Sequence, residues 1–238
     1  MRTIMHRSKN MRQRRQGNGI GRDDSGSRLI RREMVDFGAL AVPGELVLVP
    51  DMVGLVLIAH ASGRSRGQYV ASVLQAHRLG TLLFELPRPV EVHDKHPVLG
   101  IDSLAARIGI ALEQVGASAD TGRLPCGLFG VGVGAEAALV AAARSPIRVA
   151  AVVSAGGRPD LATASLCRVQ APTLLIVGGA DLRLLVFNRA ALEQLECDKR
   201  LEVVPDAGHL FKQPGALQSV AELAAHWLGH HLRHRQAA

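Results

Sequence analysis

Leu128-Phe129-Gly130-Val131-Gly132-Val133-Gly134-Ala135 reads as the end of a buried strand, a tight glycine turn and the start of a helix. Two chemistries use that geometry. One is dinucleotide binding: Gly130, Gly132 and Ala135 satisfy G-x-G-x-x-A, and the helix behind them would offer N-terminal amides to a pyrophosphate. That reading needs an acidic residue at the end of the next strand to hold a ribose. The next apolar run, 149–153, is followed by Ser154-Ala155-Gly156-Gly157, and the first carboxylate is Asp160. The other chemistry is the nucleophile elbow, G-x-S-x-G, whose central residue is held in a strained conformation with its side chain exposed. Gly130 and Gly134 match the outer positions, and Gly132 stands where the serine belongs. Glycine is the one residue for which that backbone costs little, so the turn should survive without the serine.

The rest of the chain favours the second reading. Short runs rich in Val, Leu and Ile, at 46–49, 55–59, 81–86, 125–129, 149–153, 173–177 and 200–204, show little alternation, as strands covered on both faces do. Helix-length segments lie between them at 67–78, 99–115, 135–144, 186–195 and 216–232. This alternation predicts a doubly wound, mostly parallel α/β sheet in a three-layer αβα sandwich. In such sheets ligands bind beyond the carboxyl ends of the strands. Downstream of the turn, Leu174-Leu175-Ile176-Val177-Gly178-Gly179-Ala180-Asp181 sets an aspartate just past a strand. Leu201-Glu202-Val203-Val204-Pro205-Asp206-Ala207-Gly208-His209 then sets a histidine before the final helix. Elbow, acid and base follow in the order that elbow-bearing hydrolases use.

With these stretches the chain resembles the dienelactone-hydrolase-like α/β-hydrolases, small cap-less members of which occur alone or fused to phosphoribosyltransferase domains. Further matching segments are Gly54-Leu55-Val56-Leu57-Ile58-Ala59-His60, Ser154-Ala155-Gly156-Gly157-Arg158-Pro159-Asp160-Leu161 and Ala171-Pro172-Thr173-Leu174. The resemblance spans roughly residues 35–230. It implies Asp181 as orienting acid, His209 as general base, and oxyanion donors from the backbone of Ala61 or Ser62 and of Val133. Two departures fall on that machinery. The elbow nucleophile is absent, and the oxyanion loop reads His60-Ala61-Ser62-Gly63 where relatives have His-Gly-Ser-Gly. Acyl transfer needs an attacking oxygen or sulfur that glycine lacks. The expected function is therefore a degenerate, non-catalytic or weakly hydrolytic protein binding a small ester- or lactone-like ligand or a protein partner. A working ester or lactone hydrolase using a water or Ser62 with Asp181 and His209 is the alternative.

Composition narrows the remaining classes. The chain has 238 residues and a net charge of +7. Of its 28 basic and 21 acidic residues, ten and three lie in residues 1–33, leaving 18 of each beyond. The basicity belongs to a tail, read as a disordered extension before a neutral domain at 34–238, with Met34 as a second possible start. A nucleic-acid or membrane-associated module acting through that tail is a further alternative, but no specific nucleic-acid partner is expected. Aromatics at 3% provide no stacking platform for bases. No run reaches the roughly 18 apolar residues of a membrane span, and no signal peptide is recognisable. Three scattered cysteines, Cys126, Cys167 and Cys197, fit a reducing cytoplasm without disulfides.

Other candidates are read as structural. Cys126 lies six residues before Gly132 along a strand, too far away to replace the nucleophile, and Ser154 belongs to the matched framework. Glu85 is expected to line the cleft or to pair with an arginine such as Arg64. His60 is expected to pack beneath the oxyanion loop. His93 and His96 sit in the irregular loop 87–97, the one stretch able to cover a site in part. His226, His230, His231 and His234 cluster on the last helix with two i,i+4 pairs, 226/230 and 230/234, of a kind that can bind zinc or nickel, but no nearby carboxylate or thiolate completes a set. No cofactor or metal is expected, and the oligomeric state is left open.

Overall fold

The structure is a computed structural model that describes residues 30–37, 42–60, 64–86, 100–145 and 149–236. Eight strands form one sheet: β1 (Arg31–Phe37), β2 (Val42–Leu48), β3 (Leu55–His60), β4 (Gly80–Glu85), β5 (Cys126–Val131), β6 (Val149–Ala155), β7 (Thr173–Gly178) and β8 (Lys199–Val204). Their spatial order is β1-β2-β4-β3-β5-β6-β7-β8. From β4 to β8 every pairing is parallel, whereas β1 and β2 join antiparallel at one edge.

Among the described residues six helices complete the layers: α1 (Arg64–Ala76), α2 (Ile101–Ala117), α3 (Val133–Arg144), the short α4 (Thr163–Leu166), α5 (Leu182–Gln194) and α6 (Ala216–Gln236). A 3-10 turn, Pro159–Ala162, precedes α4. Two apolar clusters fill the space on either side of the sheet. One joins α2, α3 and α5 to the sheet through Leu57, Leu82, Leu128, Val152 and Leu175. The other joins α1 and α6 through Val56, Ile58, Phe129, Val153 and Ile176. Consecutive residues of one strand, Leu128 and Phe129, thus enter opposite layers, which is why the strand sequence shows no polar alternation. This is the doubly wound α/β sandwich that the run-and-helix pattern predicts.

One boundary moves. Residues 31–33, read from sequence as tail, belong to β1, so the folded part begins before residue 34. The strand was hidden by its charge. Arg31 pairs with Glu33 and Asp120, and Arg32 with Glu45, along an outer edge where charged side chains remain at least partly in water. Edge strands accept such residues, and charge on them discourages further pairing. The rest of the tail, residues 1–29, and the loop 87–97 with His93 and His96 lie outside the described residues. Among the described residues, no helix is long and apolar enough to cross a membrane.

Candidate functional site

A strand, a glycine turn and a helix form at 126–144, as the sequence pattern predicts. β5 ends at Val131, Gly132 caps α3 with φ +56° and ψ −126°, and the helix runs on from Val133. This left-handed backbone is strained for any residue with a Cβ and cheap for glycine. A Cβ at Gly132 would meet no atom within 4 Å among the described residues. The flanking glycines answer to a different need. A Cβ on Gly130 would overlap the Gly134 carbonyl, and one on Gly134 would overlap the Ala59 carbonyl. Helix and strands approach too closely there for any side chain.

Asp181 and His209 come together. Asp181 caps α5 through Oδ1, which accepts from the Leu184 amide at 3.1 Å. Its other oxygen, Oδ2, lies 3.2 Å from His209 Nδ1. The helix end thus fixes the carboxylate, and the carboxylate fixes the imidazole, leaving Nε2 for a second partner. The His209 side chain is about half exposed, whereas Asp181 is mostly covered. The loop carrying His209 is tied to β7, since Ala180 N donates to Ala207 O at 3.0 Å.

The end of β6 connects this pair to the elbow. Gly132 N donates to Ala155 O at 3.1 Å, and the next residue, Gly156, has φ +59°. A Cβ on Gly156 would overlap the His209 carbonyl. Two consecutive residues therefore hold the glycine turn on one side and seat the histidine loop on the other. Beside His209, Arg66 donates to the Leu210 carbonyl. There a groove of about 470 Å³ is lined by Arg66, Tyr69, Phe211, Lys212 and Gln213 among others. Of the expected oxyanion donors, Val133 opens α3, while Ala61 and Ser62 lie outside the described residues.

No family model matches the chain. Its structure is similar to the dienelactone hydrolase from Anabaena variabilis, with a TM-score of 0.79 and 45% identity, over 86% of this chain and 98% of that one. The chain belongs to the dienelactone hydrolase-like family of α/β-hydrolases. It is also 46% identical over 199 residues to a Mycobacterium tuberculosis protein, from strains CDC 1551 and H37Rv, named as a phosphoribosyl transferase. That match takes in 82% of this chain and 45% of the relative, so the chain spans about half the length of the curated relatives it matches. The esterase domain of a Rhodothermus marinus protein has the same fold at 16% identity, with a TM-score of 0.66 over 85% of this chain and 99% of that one.

Within this dienelactone hydrolase-family fold the secondary candidates sort themselves. Cys126 is buried at the start of β5, the opposite end of the strand from the elbow. Ser154 is fully buried beside Gly130 in the sheet register. His60 is buried, and its ring packs against Gly67 of α1, as expected of a structural residue. Arg64 faces Glu45 at 3.8 Å, and Glu85 ends β4 as its exposed residue. In the histidine cluster, folding adds one neighbour that the sequence does not show. A carboxylate is nearby, since Asp198 lies 3.7 Å from His231 across the β8 edge, a neighbour that sequence distance conceals. Burial and the adjacent His230 lower the His231 pKa. Among the described residues, no three such side chains are grouped so that they could hold a metal ion.

Sequence reasoning missed Glu136. It is the one ionisable residue in the buried stretch Gly134–Ala142 of α3, and that contrast was its available signal. Burial raises its carboxyl pKa to about 7, against the pull of the Arg158 amide, which donates to its Oε1. A buried acid with a raised pKa is a stability cost once it ionises. The fold is favoured below the ordinary carboxylate range, and that stability is lost as pH rises through about 7. Glu136→Gln should therefore match the native chain near pH 4 and exceed it at pH 8 by up to roughly 3 kcal/mol in urea denaturation. The elbow yields a second expectation. Gly130→Ala should destabilise by about 2 kcal/mol or more through backbone overlap. Gly132→Ala should cost only the strain of its backbone, about 1 kcal/mol; equal costs for the two would contradict the packing described.

Proposed function

We propose that this chain binds a small ester- or lactone-like ligand on a hydrolase scaffold and turns it over weakly or not at all. The observation that supports this reading is the Asp181–His209 contact, on a loop that shares the end of β6 with the Gly132 turn, where a Cβ would meet no atom within 4 Å among the described residues. An imidazole oriented by a carboxylate is the base half of an acyl-transfer site, and the missing half is the attacking atom. What remains of such a site still accelerates hydrolysis by roughly 10³–10⁴-fold over water when a triad member is removed. A water held by His209 beside the Gly132 turn is the source of any residual turnover. Lactone chemistry comes from the name of the Anabaena variabilis relative. The transferase name belongs to a protein more than twice the matched length, so the proposal does not extend that activity to this chain.

The test supplies the absent atom. Gly132→Ser should raise hydrolysis of activated short-chain esters by on the order of 10²-fold or more over the native chain. His209→Ala in the same background should remove that gain. A Gly132→Ser protein that folds and stays as slow as the native chain would show that the pair is not aimed at this position. A native chain that is already fast, and loses its activity with His209→Ala, would instead mark it as a working hydrolase that uses a water or Ser62 as its nucleophile.

A further inference from the structure

We infer that Glu136 is a positioning residue that holds the Gly157–Arg158 peptide and, through it, the spacing between the Gly132 bend and the His209 loop. This inference rests on the reading of the site given above. Glu136 is buried at 3% exposure, on the first turn of α3. Its Oε1 accepts the Arg158 amide, and its Oε2 is buried without a hydrogen-bond partner. The opposite face of the same peptide is also held, because Asn188 of α5, itself fully buried, donates Nδ2 to Gly157 O at 3.2 Å. The C=O and N–H of a trans peptide point in opposite directions, so an acceptor on α3 and a donor on α5 fix its plane.

The clamped segment sits between the two halves of the site. A Cβ at Gly157 would lie 3.4 Å from the Gly132 carbonyl, and Gly156 backs onto the His209 carbonyl. Tilting that peptide therefore moves what the elbow and the histidine loop rest on. Arg158 continues outward from it, with its guanidinium paired to Asp160 at 2.7 Å and 5.1 Å from the centre of the Phe187 ring.

The charge on Glu136 sets the strength of the clamp. A carboxylate accepts an amide N–H more strongly than a neutral acid does. The clamp is firm above pH about 7 and loosens as pH falls through that value. Near Glu136, Asp160 opposes ionisation and Arg158 favours it. Of the other elements packed on α3, α4 and β6 carry no charged side chain, β5 has only the thiol of Cys126, and β3 ends in His60. α2 brings Asp102, Arg107 and Glu113, and Asp102 pairs with Arg144 at the far end of α3.

The experiment follows the backbone amides of Arg158 and Gly132 by ¹⁵N NMR across pH 5–9 in the full chain. In the native protein both should show a transition with a midpoint of about 7. In Glu136→Gln, which keeps an acceptor oxygen but cannot titrate, that transition should be lost from both amides. A Gly132 transition that persists in Glu136→Gln, or an Arg158 transition not shared by Gly132, would overturn the inference. In the Gly132→Ser background, Glu136→Gln should remove the corresponding step from the pH profile of kcat and leave KM unchanged; an unaltered profile would count against the inference. A Gly132→Ser protein without activity would sink the functional reading alone, since the amide titration still judges Glu136.

Discussion

Ala155 and Gly156, at the end of β6, are the joint on which the site depends. The carbonyl of Ala155 receives the Gly132 amide, and the amide of Gly156 donates to Ile176 O on the neighbouring strand. Gly156 then turns with positive φ and lies flat against the His209 carbonyl. All of these contacts are made by backbone. None needs a side chain at residue 132, so the bend and the histidine loop keep their places with glycine there. The backbone that shapes this turn is thus held independently of whatever side chain residue 132 carries.

The same separation governs the acid and the base. Asp181 uses one oxygen to cap α5 and the other to orient His209. The cap alone accounts for an aspartate at this position, so its presence does not by itself mark a working enzyme. His209 is different: its side chain is half exposed, and its Nδ1 lies 3.2 Å from Asp181 Oδ2. With Nδ1 turned toward Asp181, the carboxylate orients the ring.

Beneath the visible site lies a buried polar layer that an apolar helix would not need. Glu136 and Asn188 enter the protein from α3 and α5 and grip one peptide between them. Burying a carboxylate costs stability, and this one is only partly satisfied. In physical terms the expense goes into fixing a loop, and that loop lies between the two halves of the site. The long-range consequences of Gly132 and the local ones of Glu136 thus meet at residues 155–158.

Local sequence was enough to place most strands and helices. Continuous Val, Leu and Ile runs have no solvent face to alternate with, and the glycine triplet at 130–134 fits only a turn where backbones nearly touch. It also pointed to Gly132, Asp181 and His209 as candidates, because they lie one, three and five residues past the ends of β5, β7 and β8. β1 was missed because a charged edge strand has the composition of a tail, and the hydrogen bonds that make it a strand come from β2. The Asp198 neighbour of His231 was missed for a related reason, since it approaches from another element. So was the role of Glu136: its partner Arg158 is 22 residues away, and only folding α3 against the end of β6 brings carboxylate and amide together. Sequence determined which groups stand at strand ends; tertiary packing decided which of them meet, because contact across the sheet depends on the register of strands far apart in the chain.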